Sequence, residues 1–306
     1  MISANVFDVK RFGVNDGLGI RTVLFIKGCP LRCLWCQNPE GLCPEIRLWY
    51  VKSICAECKG CVASCPEHCI SWDENGAHID HGACSKCGKC VSACPTGALR
   101  MDAKSTSVYE AISEIERDRV FYAASGGGVT LSGGECTASP EFSLAILREC
   151  KKRSIHTAIE TCLYMPASRL NEFADAADQI IADIKLFDPA RHKAATGVDN
   201  GSILENVRLL SARKANLLLR TPLIPAFTDD DDNIKAIASF IASVDKDIPM
   251  QLLNYNPMCV EKYRSLRETY PIPPDVKPLN KARIRALEDI ITGCGLRVVR
   301  EGNDTE

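Results

Sequence analysis

Short apolar runs and amphipathic stretches alternate along the chain from about residue 104 onward. Apolar runs predict strands, and apolar residues spaced three or four apart predict helices. Strands are predicted at 22–26, 129–131, 155–160, 180–184, 217–222, 250–254 and 296–299. Helices are predicted at 108–120, from Pro140 onward, and at 168–177, 202–213, 233–243 and 280–292. Alternating strands and helices are typical of parallel βα units, so about six units predict an α/β fold, an open or closed barrel with its site at the C-terminal strand ends.

Residues 46–103 differ in character from the rest of the chain. Cys, Gly and Pro are dense there, and no long apolar periodicity is present. This favours a small domain whose core is inorganic rather than hydrophobic. We therefore predict a larger domain of residues 1–45 and 104–306, with residues 46–103 inserted into it.

Composition and charge narrow the class of protein. The 306 residues are 46% apolar and 25% charged, with a net charge of −2. This composition is globular and excludes a disordered or collagen-like chain. No apolar stretch reaches the ~20 residues of a membrane span, and the near-zero charge gives no support for nucleic-acid binding. The first residues, Met1 to Asn5, lack the layout of a secretory signal. We expect neither a membrane nor a nucleic acid as partner.

Cysteine is used far above its ordinary frequency. The chain has 18, and 13 of them lie between residues 29 and 94, most of them three or four positions apart. A disulfide scaffold is a short secreted chain with its cysteines spread through it. Close neighbours are poor disulfide partners and good ligands for a compact metal centre. We expect a reducing cytoplasm, and an anaerobic one if the centres are iron–sulfur clusters.

The first cysteine group, Cys29-x3-Cys33-x2-Cys36, directly follows the first predicted strand. Three thiolates can hold three irons of a 4Fe–4S cluster and leave the fourth iron without a protein ligand. An open metal position is typical of a reactive site rather than a structural one. Two alternatives stay open: Cys43 could close a structural site, or the thiols could simply be buried.

Two further groups have the spacing of a two-cluster ferredoxin, in which the fourth Cys of each run ligates the other cluster. The runs are Cys55, Cys58, Cys61 and Cys65, and Cys84, Cys87, Cys90 and Cys94, each followed by Pro. The predicted sets are Cys55, Cys58 and Cys61 with Cys94, and Cys84, Cys87 and Cys90 with Cys65. Such clusters pass single electrons. The alternative, a zinc ribbon, explains only four of the eight thiols, and Cys69 fits neither set.

The motifs around the first group resemble those of a known family. They are DGLGIRT at 16–22, KGCPLRCLWCQNPE at 27–40 and GGGVTLSGGE at 126–135. They resemble the signatures of the glycyl-radical-enzyme activating enzymes, radical SAM proteins typified by pyruvate formate-lyase activating enzyme, in the subgroup with a ferredoxin-like insertion. The resemblance covers essentially the whole chain. It implies a partial (β/α)6 radical SAM barrel with an inserted ferredoxin-like domain that holds two 4Fe–4S clusters.

The resemblance also implies an activity. The cofactors would be three 4Fe–4S clusters and S-adenosylmethionine (SAM), with a monovalent cation left open. In this family the cluster at Cys29, Cys33 and Cys36, which are the catalytic residues, chelates SAM and cleaves it reductively. The resulting 5′-deoxyadenosyl radical takes a hydrogen from a backbone glycine of a partner, a glycyl radical enzyme. A flavodoxin or ferredoxin would supply the electron, and the chain would be a monomer.

Two other functions are the alternatives. One is a radical SAM oxidoreductase that acts on a different peptide or small molecule. The other is an iron–sulfur electron carrier without SAM chemistry. The carrier hypothesis gives no purpose to the first cysteine group, to residues 133–135 or to residues 183–185.

Further residues are matched to SAM contacts by the resemblance alone. Gly133, Gly134 and Glu135 match the strand-end turn that receives the SAM amino group, where glycines permit close backbone approach and a carboxylate accepts from an ammonium. The other matched positions are Asp183, Ile184 and Lys185, then Trp35, Cys36 and Gln37 along the adenosine, and Arg220. Glu160–Thr161 stand where the type enzyme has Asp-Thr at a cation site, and the longer acid puts that ion in doubt.

Two positions depart from the family pattern. Asn256 stands where the family has a His that reaches the SAM adenine or ribose. An amide forms hydrogen bonds but does not titrate near neutrality, so we predict contact without acid–base work. Cys136 follows the Gly-Gly-Glu turn and is predicted to be a small apolar filler.

Overall fold

The computed structural model describes residues 2–300, and its main feature is a nine-stranded sheet. The strands of the chain are β1 (Ser3–Gly13), β2 (Arg21–Ile26), β3 (Leu48–Tyr50), β4 (Ile70–Asp73), β5 (Gly76–Ile79), β6 (Leu99–Met101), β7 (Lys104–Ser107), β8 (Gly128–Gly133), β9 (His156–Thr161), β10 (Gln179–Asp183), β11 (Leu217–Leu223), β12 (Met250–Asn254) and β13 (Val298–Val299). The helices are α1 (Gly60–Ala63), α2 (Lys89–Ser92), α3 (Val108–Glu116), α4 (Arg119–Ser125), α5 (Pro140–Lys152), α6 (Ala167–Ala176), α7 (Pro189–Thr196), α8 (Gly201–Ala212), α9 (Asp231–Val244), α10 (Val260–Ser265) and α11 (Lys281–Gly293).

The central part of the sheet is parallel. Its order is β13-β12-β11-β10-β9-β8-β2-β1-β7, and neighbours from β13 to β2 run in the same direction. Strand β1 pairs antiparallel with β2 on one side and with β7 on the other. Parallel strands with helices between them are buried on both faces, which explains their near-continuous apolar runs. The prediction of an α/β fold with a parallel sheet is confirmed.

Local sequence signals explain where the helices begin. Ser107 starts α3 with a capping box: its hydroxyl oxygen accepts from the Glu110 amide, and the Glu110 carboxylate accepts from the Ser107 amide. Pro140 occupies the first turn of α5, and the side chain of Asp230 caps α9. The stripe predicted at 108–120 forms two helices rather than one, because the chain breaks around the buried Asp118. The Asp118 carboxylate accepts hydrogen bonds from Arg11 and from Thr22 of β2.

Residues 46–103 leave the sheet after β2 and return to it at β7. They contain the β3–β6 pair, the β4–β5 hairpin and the short helices α1 and α2. Apolar side chains and cysteines pack together in their core, which includes Leu48, Ile70 and Leu99. At the exit from the segment, the Asp102 carboxylate lies 2.7 Å from the Lys27 ammonium, and both side chains are buried. This ion pair connects the segment to the end of β2.

Within residues 2–300, no helix is both long and apolar enough to cross a membrane.

Candidate active site

A cavity of about 270 Å³ opens where the parallel strands end. The cysteine loop after β2 forms one side of it, and the C-terminal ends of β8 to β12 form the other. Its lining includes the predicted residues Cys29, Cys33, Trp35, Cys36, Gln37, Gly133, Gly134, Glu135, Asp183, Lys185 and Arg220. In sheets of this type, ligands bind at the carboxyl ends of the strands. The structure therefore brings together residues that lie almost 200 positions apart in the chain.

The cysteine loop is not helical, and backbone hydrogen bonds to residues outside the loop fix its position. The Gly28 amide donates to the Gly41 carbonyl oxygen at 2.8 Å, which closes the base of the loop. The Arg32 and Leu34 amides donate to the carbonyl oxygens of Thr196 and Ala195 in the last turn of α7, at 2.7 and 3.0 Å. These bonds hold the loop against the C-terminal end of α7.

The three thiols of this loop suit a positively charged metal centre. Burial raises the pKa of Cys29 and of Cys36 to about 12, and it also raises the pKa of Cys33. A buried thiol ionises readily only beside a strong positive charge, and a coordinated metal supplies that charge. The donor set therefore fits the cluster predicted for it. Cys43 does not line this cavity; its thiol donates to a Glu45 carboxylate oxygen at 2.7 Å.

The Gly133–Gly134 turn packs directly against the base of the cysteine loop. A Cβ atom on Gly133 would lie 2.2 Å from backbone atoms of Ile26, and Gly133 has a φ of +128°. A Cβ atom on Gly134 would lie 2.2 Å from the Gly41 carbonyl oxygen. Only glycine permits this approach. The next residue, Glu135, is buried, and its carboxylate accepts from the Cys162 amide at 2.8 Å.

Two ion pairs line the same cavity. The Lys185 ammonium lies 2.5 Å from the Asp183 carboxylate. Burial opposes the charge of Lys185, but Asp183 and the thiol of Cys33 raise its pKa above its ordinary value. Arg220 donates to Glu160 at 2.6 Å and to the Gln251 amide oxygen at 2.7 Å.

The second ion pair bears on the cation site left open by the sequence. Burial raises the pKa of Glu160, although the Arg220 guanidinium acts against this shift. A second oxygen of Glu160 accepts from Ser132 at 2.7 Å. The Arg220 guanidinium therefore supplies positive charge beside Glu160, the acid that the resemblance associates with a monovalent cation.

Two of the predicted SAM contacts lie away from the cavity lining. Ile184 is buried in the apolar core, and its backbone amide donates to the Arg220 carbonyl oxygen at 2.9 Å. Asn256 is exposed. Its side-chain oxygen accepts from the Met258 amide at 3.0 Å, because the chain turns into a short 3₁₀ helix after β12. Leu253, near the end of β12, lines the cavity instead.

Several lining residues were not predicted as SAM contacts from the sequence. They are Leu31, Asn38, Leu42, Ser132, Glu160, Thr161, Cys162, Ile181, Pro222 and Leu253. Most lie at or just beyond the C-terminal end of a predicted strand, and that position is the signal that could have identified them. Cys136 is fully buried in the apolar core, and its thiol donates to the Glu160 carbonyl oxygen at 3.3 Å.

The cysteines of residues 46–103 line two separate cavities. One is lined by Cys55, Cys58, Cys61 and Cys94, and the other by Cys65, Cys69, Cys84, Cys87 and Cys90. Each cavity therefore contains one of the predicted sets of four, and the second also contains Cys69. Burial acts against ionisation of Cys94, but donors that include the Leu99 amide at 3.4 Å outweigh it and lower the Cys94 pKa. Within residues 2–300, no three His, Cys, Asp or Glu side chains are grouped so that they could hold a single metal ion.

Comparison with known proteins shows the family to which the chain belongs. The model of the radical SAM superfamily matches residues 23–237. Isethionate sulfite-lyase activating enzyme of Oleidesulfovibrio alaskensis is 42% identical over 273 residues, which is 87% of this chain and 88% of that protein. (2S)-3-sulfopropanediol sulfolyase activating enzyme of Bilophila wadsworthia is 44% identical over 270 residues, 87% of this chain and 89% of that protein.

A solved structure has a similar fold. SuiB of Streptococcus suis, bound to precursor peptide SuiA, superposes with a TM-score of 0.52 at 12% identity over 90% of this chain and 46% of that chain. At this identity the likeness concerns the fold alone. The family match and the similarity to activating enzymes each cover most of the chain, and they assign it to a family. The chain belongs to the radical SAM superfamily and, within it, to the activating enzymes that act on glycyl radical enzymes.

Proposed function

We propose that Cys29, Cys33 and Cys36 hold a 4Fe–4S cluster with one iron free for SAM, and that the cavity beside them binds SAM during activation of a partner glycyl radical enzyme. The observation that carries this proposal is that the three thiols, the Gly133–Gly134 turn and the charged strand ends share one cavity. Cys43 lies outside that lining, which favours an open corner over a closed structural site.

The charges of the cavity complement SAM. Its lining carries three carboxylates, from Glu135, Glu160 and Asp183, and two cations, from Lys185 and Arg220, so one negative charge is in excess. SAM has a sulfonium, an ammonium and a carboxylate, and therefore one positive charge in excess. Opposite charge in a confined space favours binding and fixes orientation.

The side chains around the charges exclude water and fix geometry. Trp35 is buried and contacts the Phe227 ring with centroids 5.9 Å apart, which holds it at the cavity wall. Arg220 is held by three oxygen acceptors, which include the Asn15 carbonyl oxygen at 2.6 Å. When bound, the cluster and SAM supply a 5′-deoxyadenosyl radical, and the protein's part is to position the reacting groups and keep water away.

We further propose that residues 46–103 form a ferredoxin-like insertion that holds two more 4Fe–4S clusters, one in each cysteine-lined cavity. The grouping of Cys55, Cys58 and Cys61 with Cys94, and of Cys84, Cys87 and Cys90 with Cys65, supports this proposal. Clusters held there would pass electrons singly from a flavodoxin or ferredoxin toward the SAM cluster. The enzyme acts as a monomer in the cytoplasm of an anaerobic cell.

The test compares two cysteine variants of the reconstituted chain under anaerobic conditions. We expect Cys29→Ala to abolish formation of 5′-deoxyadenosine from SAM, and the matched Cys43→Ala variant to retain it. The paramagnetic spectrum of the reduced wild-type protein should change when SAM is added. Absence of that change in the wild-type protein, together with its appearance in Cys43→Ala, would overturn the proposed open corner.

The partner is found with a panel of glycyl radical enzymes. Relatives at 38–44% identity carry names for sulfonate, choline, hydroxyproline and indoleacetate enzymes, so each of these classes belongs in the panel. A glycine-centred paramagnetic signal on one panel member identifies the partner. An enzyme encoded beside this chain is the first to test. SAM cleavage without any glycine signal would favour a different peptide or small-molecule substrate.

A further inference from the structure

The two cysteine runs of the insertion are repeats that differ at one position inside their cavities. After the fourth Cys, each run continues with Pro, two residues and a small residue, which is Cys69 in the first run and Ala98 in the second. Both residues are buried, and each directly precedes a strand. Cys69 lines the cavity of Cys65 and its set, whereas Ala98 lines the cavity of the Cys94 set. The repeat therefore supplies a fifth thiol to one cavity only.

The fifth thiol contacts a predicted cluster ligand. The Sγ atoms of Cys65 and Cys69 are 3.4 Å apart, within hydrogen-bond distance for sulfur. Each of the two residues is only 7% exposed, so water does not compete for this contact. A thiol is a weak donor and a thiolate sulfur is an acceptor, so the direction of the bond follows once Cys65 ligates iron.

We infer that Cys69 is a positioning residue that donates an S–H hydrogen bond to the Cys65 sulfur and raises the reduction potential of that cluster above the potential of the other insertion cluster. This inference rests on the two-cluster insertion proposed above. Hydrogen bonds to ligand sulfurs are among the features that set cluster potentials. The electron adds negative charge to the cluster, and the donor stabilises that charge. No bond is made or broken, and the proton stays on Cys69.

The unequal potentials give the electron a direction. Cys84, a member of the Cys65 set, lines a surface cavity together with Cys43, which is seven residues beyond Cys36 of the SAM cluster site. The cluster that Cys69 contacts is therefore the one on the side of the cysteine loop. A higher potential there draws the electron from the other insertion cluster toward the SAM site.

The experiment is a redox titration of the anaerobically reconstituted full chain, followed by electron paramagnetic resonance. We expect Cys69→Ala to keep the wild-type iron content and to lower the potential of one insertion cluster by about 59 mV, which is a tenfold change for a one-electron couple. Cys69→Ser retains a donor and should restore most of the shift. The matched Ala98→Cys variant places a thiol in the other cavity and should raise the potential of the other cluster.

Each alternative result is decisive. Unchanged potentials in Cys69→Ala would overturn the inference, and so would loss of iron, because Cys69 would then be a ligand rather than a donor. Failure of the underlying proposal looks different. If the wild-type chain binds only the SAM cluster, the iron content already reveals it before any potential is measured.

Discussion

The buried ion pair between Lys27 and Asp102 offers a sharp test of how the insertion is anchored. The Lys27 side chain is 0% exposed and the Asp102 side chain is 1% exposed, with 2.7 Å between the ammonium and the carboxylate. The ammonium also donates to the Glu40 carbonyl oxygen at 2.6 Å. In Lys27→Met, the Asp102 carboxylate keeps only the hydrogen bond from the Arg47 amide, at 2.8 Å.

The cost of this change follows from the unpaired charge. Removing one partner of a buried ion pair costs about 3–5 kcal/mol, because the remaining charge has lost both water and its counter-ion. At about 2 °C per kcal/mol for a large chain, Lys27→Met should lower the unfolding temperature by about 6–10 °C. Adding Asp102→Asn removes the stranded charge while keeping an acceptor for the Arg47 amide. The double variant should therefore recover part of the loss.

The assay is thermal unfolding of the cluster-loaded chain under anaerobic conditions, with Lys104→Met as the matched control. The Lys104–Glu110 pair is 2.9 Å long, but its side chains are 74% and 45% exposed. Exposed pairs contribute about 0–1 kcal/mol, so the control should shift the unfolding temperature by less than about 2 °C. Equal shifts for Lys27→Met and Lys104→Met would refute the reasoning.

Three further outcomes are expected. Gly133→Ala should abolish SAM binding in equilibrium dialysis, because the new Cβ would clash with the β2 backbone. In the control Gly126→Ala, the new Cβ meets nothing within 4 Å, so SAM binding should stay intact. Equal effects of the two substitutions would contradict this argument. Arg220→Lys keeps the positive charge but loses the planar guanidinium that donates to both Glu160 and Gln251, so SAM cleavage should slow by about tenfold. An unchanged rate would show that the guanidinium geometry is dispensable. Burial lowers the pKa of His156 below 6.5, so the unfolded chain takes up its proton first as pH falls. The stability that His156 contributes is therefore present above about pH 6.5 and is lost as the pH falls below it. His156→Gln should flatten the fall in unfolding temperature between about pH 7 and 5.5. An identical slope in the variant and the wild type would exclude this role.

The parallel sheet was predictable because its strands are buried on both faces. The runs predicted at 217–222 and 250–254 differ by at most one residue from Leu217–Leu223 and Met250–Asn254. Strand β1 was not predicted. Its exposed positions alternate with half-buried ones, and charged residues such as Lys10 lie within it. Strand β1 forms because it pairs antiparallel with β2 and β7, and the local sequence pattern does not reveal those partners.

The sequence predicted those site residues that belong to short motifs. It did not predict residues that reach the cavity only through the position of their strand in the sheet. The cysteine loop and the Gly133–Gly134 turn are short motifs, and the structure brings them together. Ser132 and Leu253 are ordinary residues that reach the cavity only because their strands end there. Asn256 shows the converse: its place in the sequence matched a contact, but the turn after β12 directs its side chain to cap a 3₁₀ helix.

The β3–β6 pair has a consequence for how much residues 46–103 can vary without disturbing the sheet. Leu48 faces Met101 across the two strands, so the chain enters and leaves the insertion side by side through a narrow neck. Beyond that neck, the segment also contacts the rest of the chain through Arg267, which pairs with Asp73 at 2.8 Å. Because both ends of the segment meet at this neck, its length can change while the cavity at the strand ends keeps its shape.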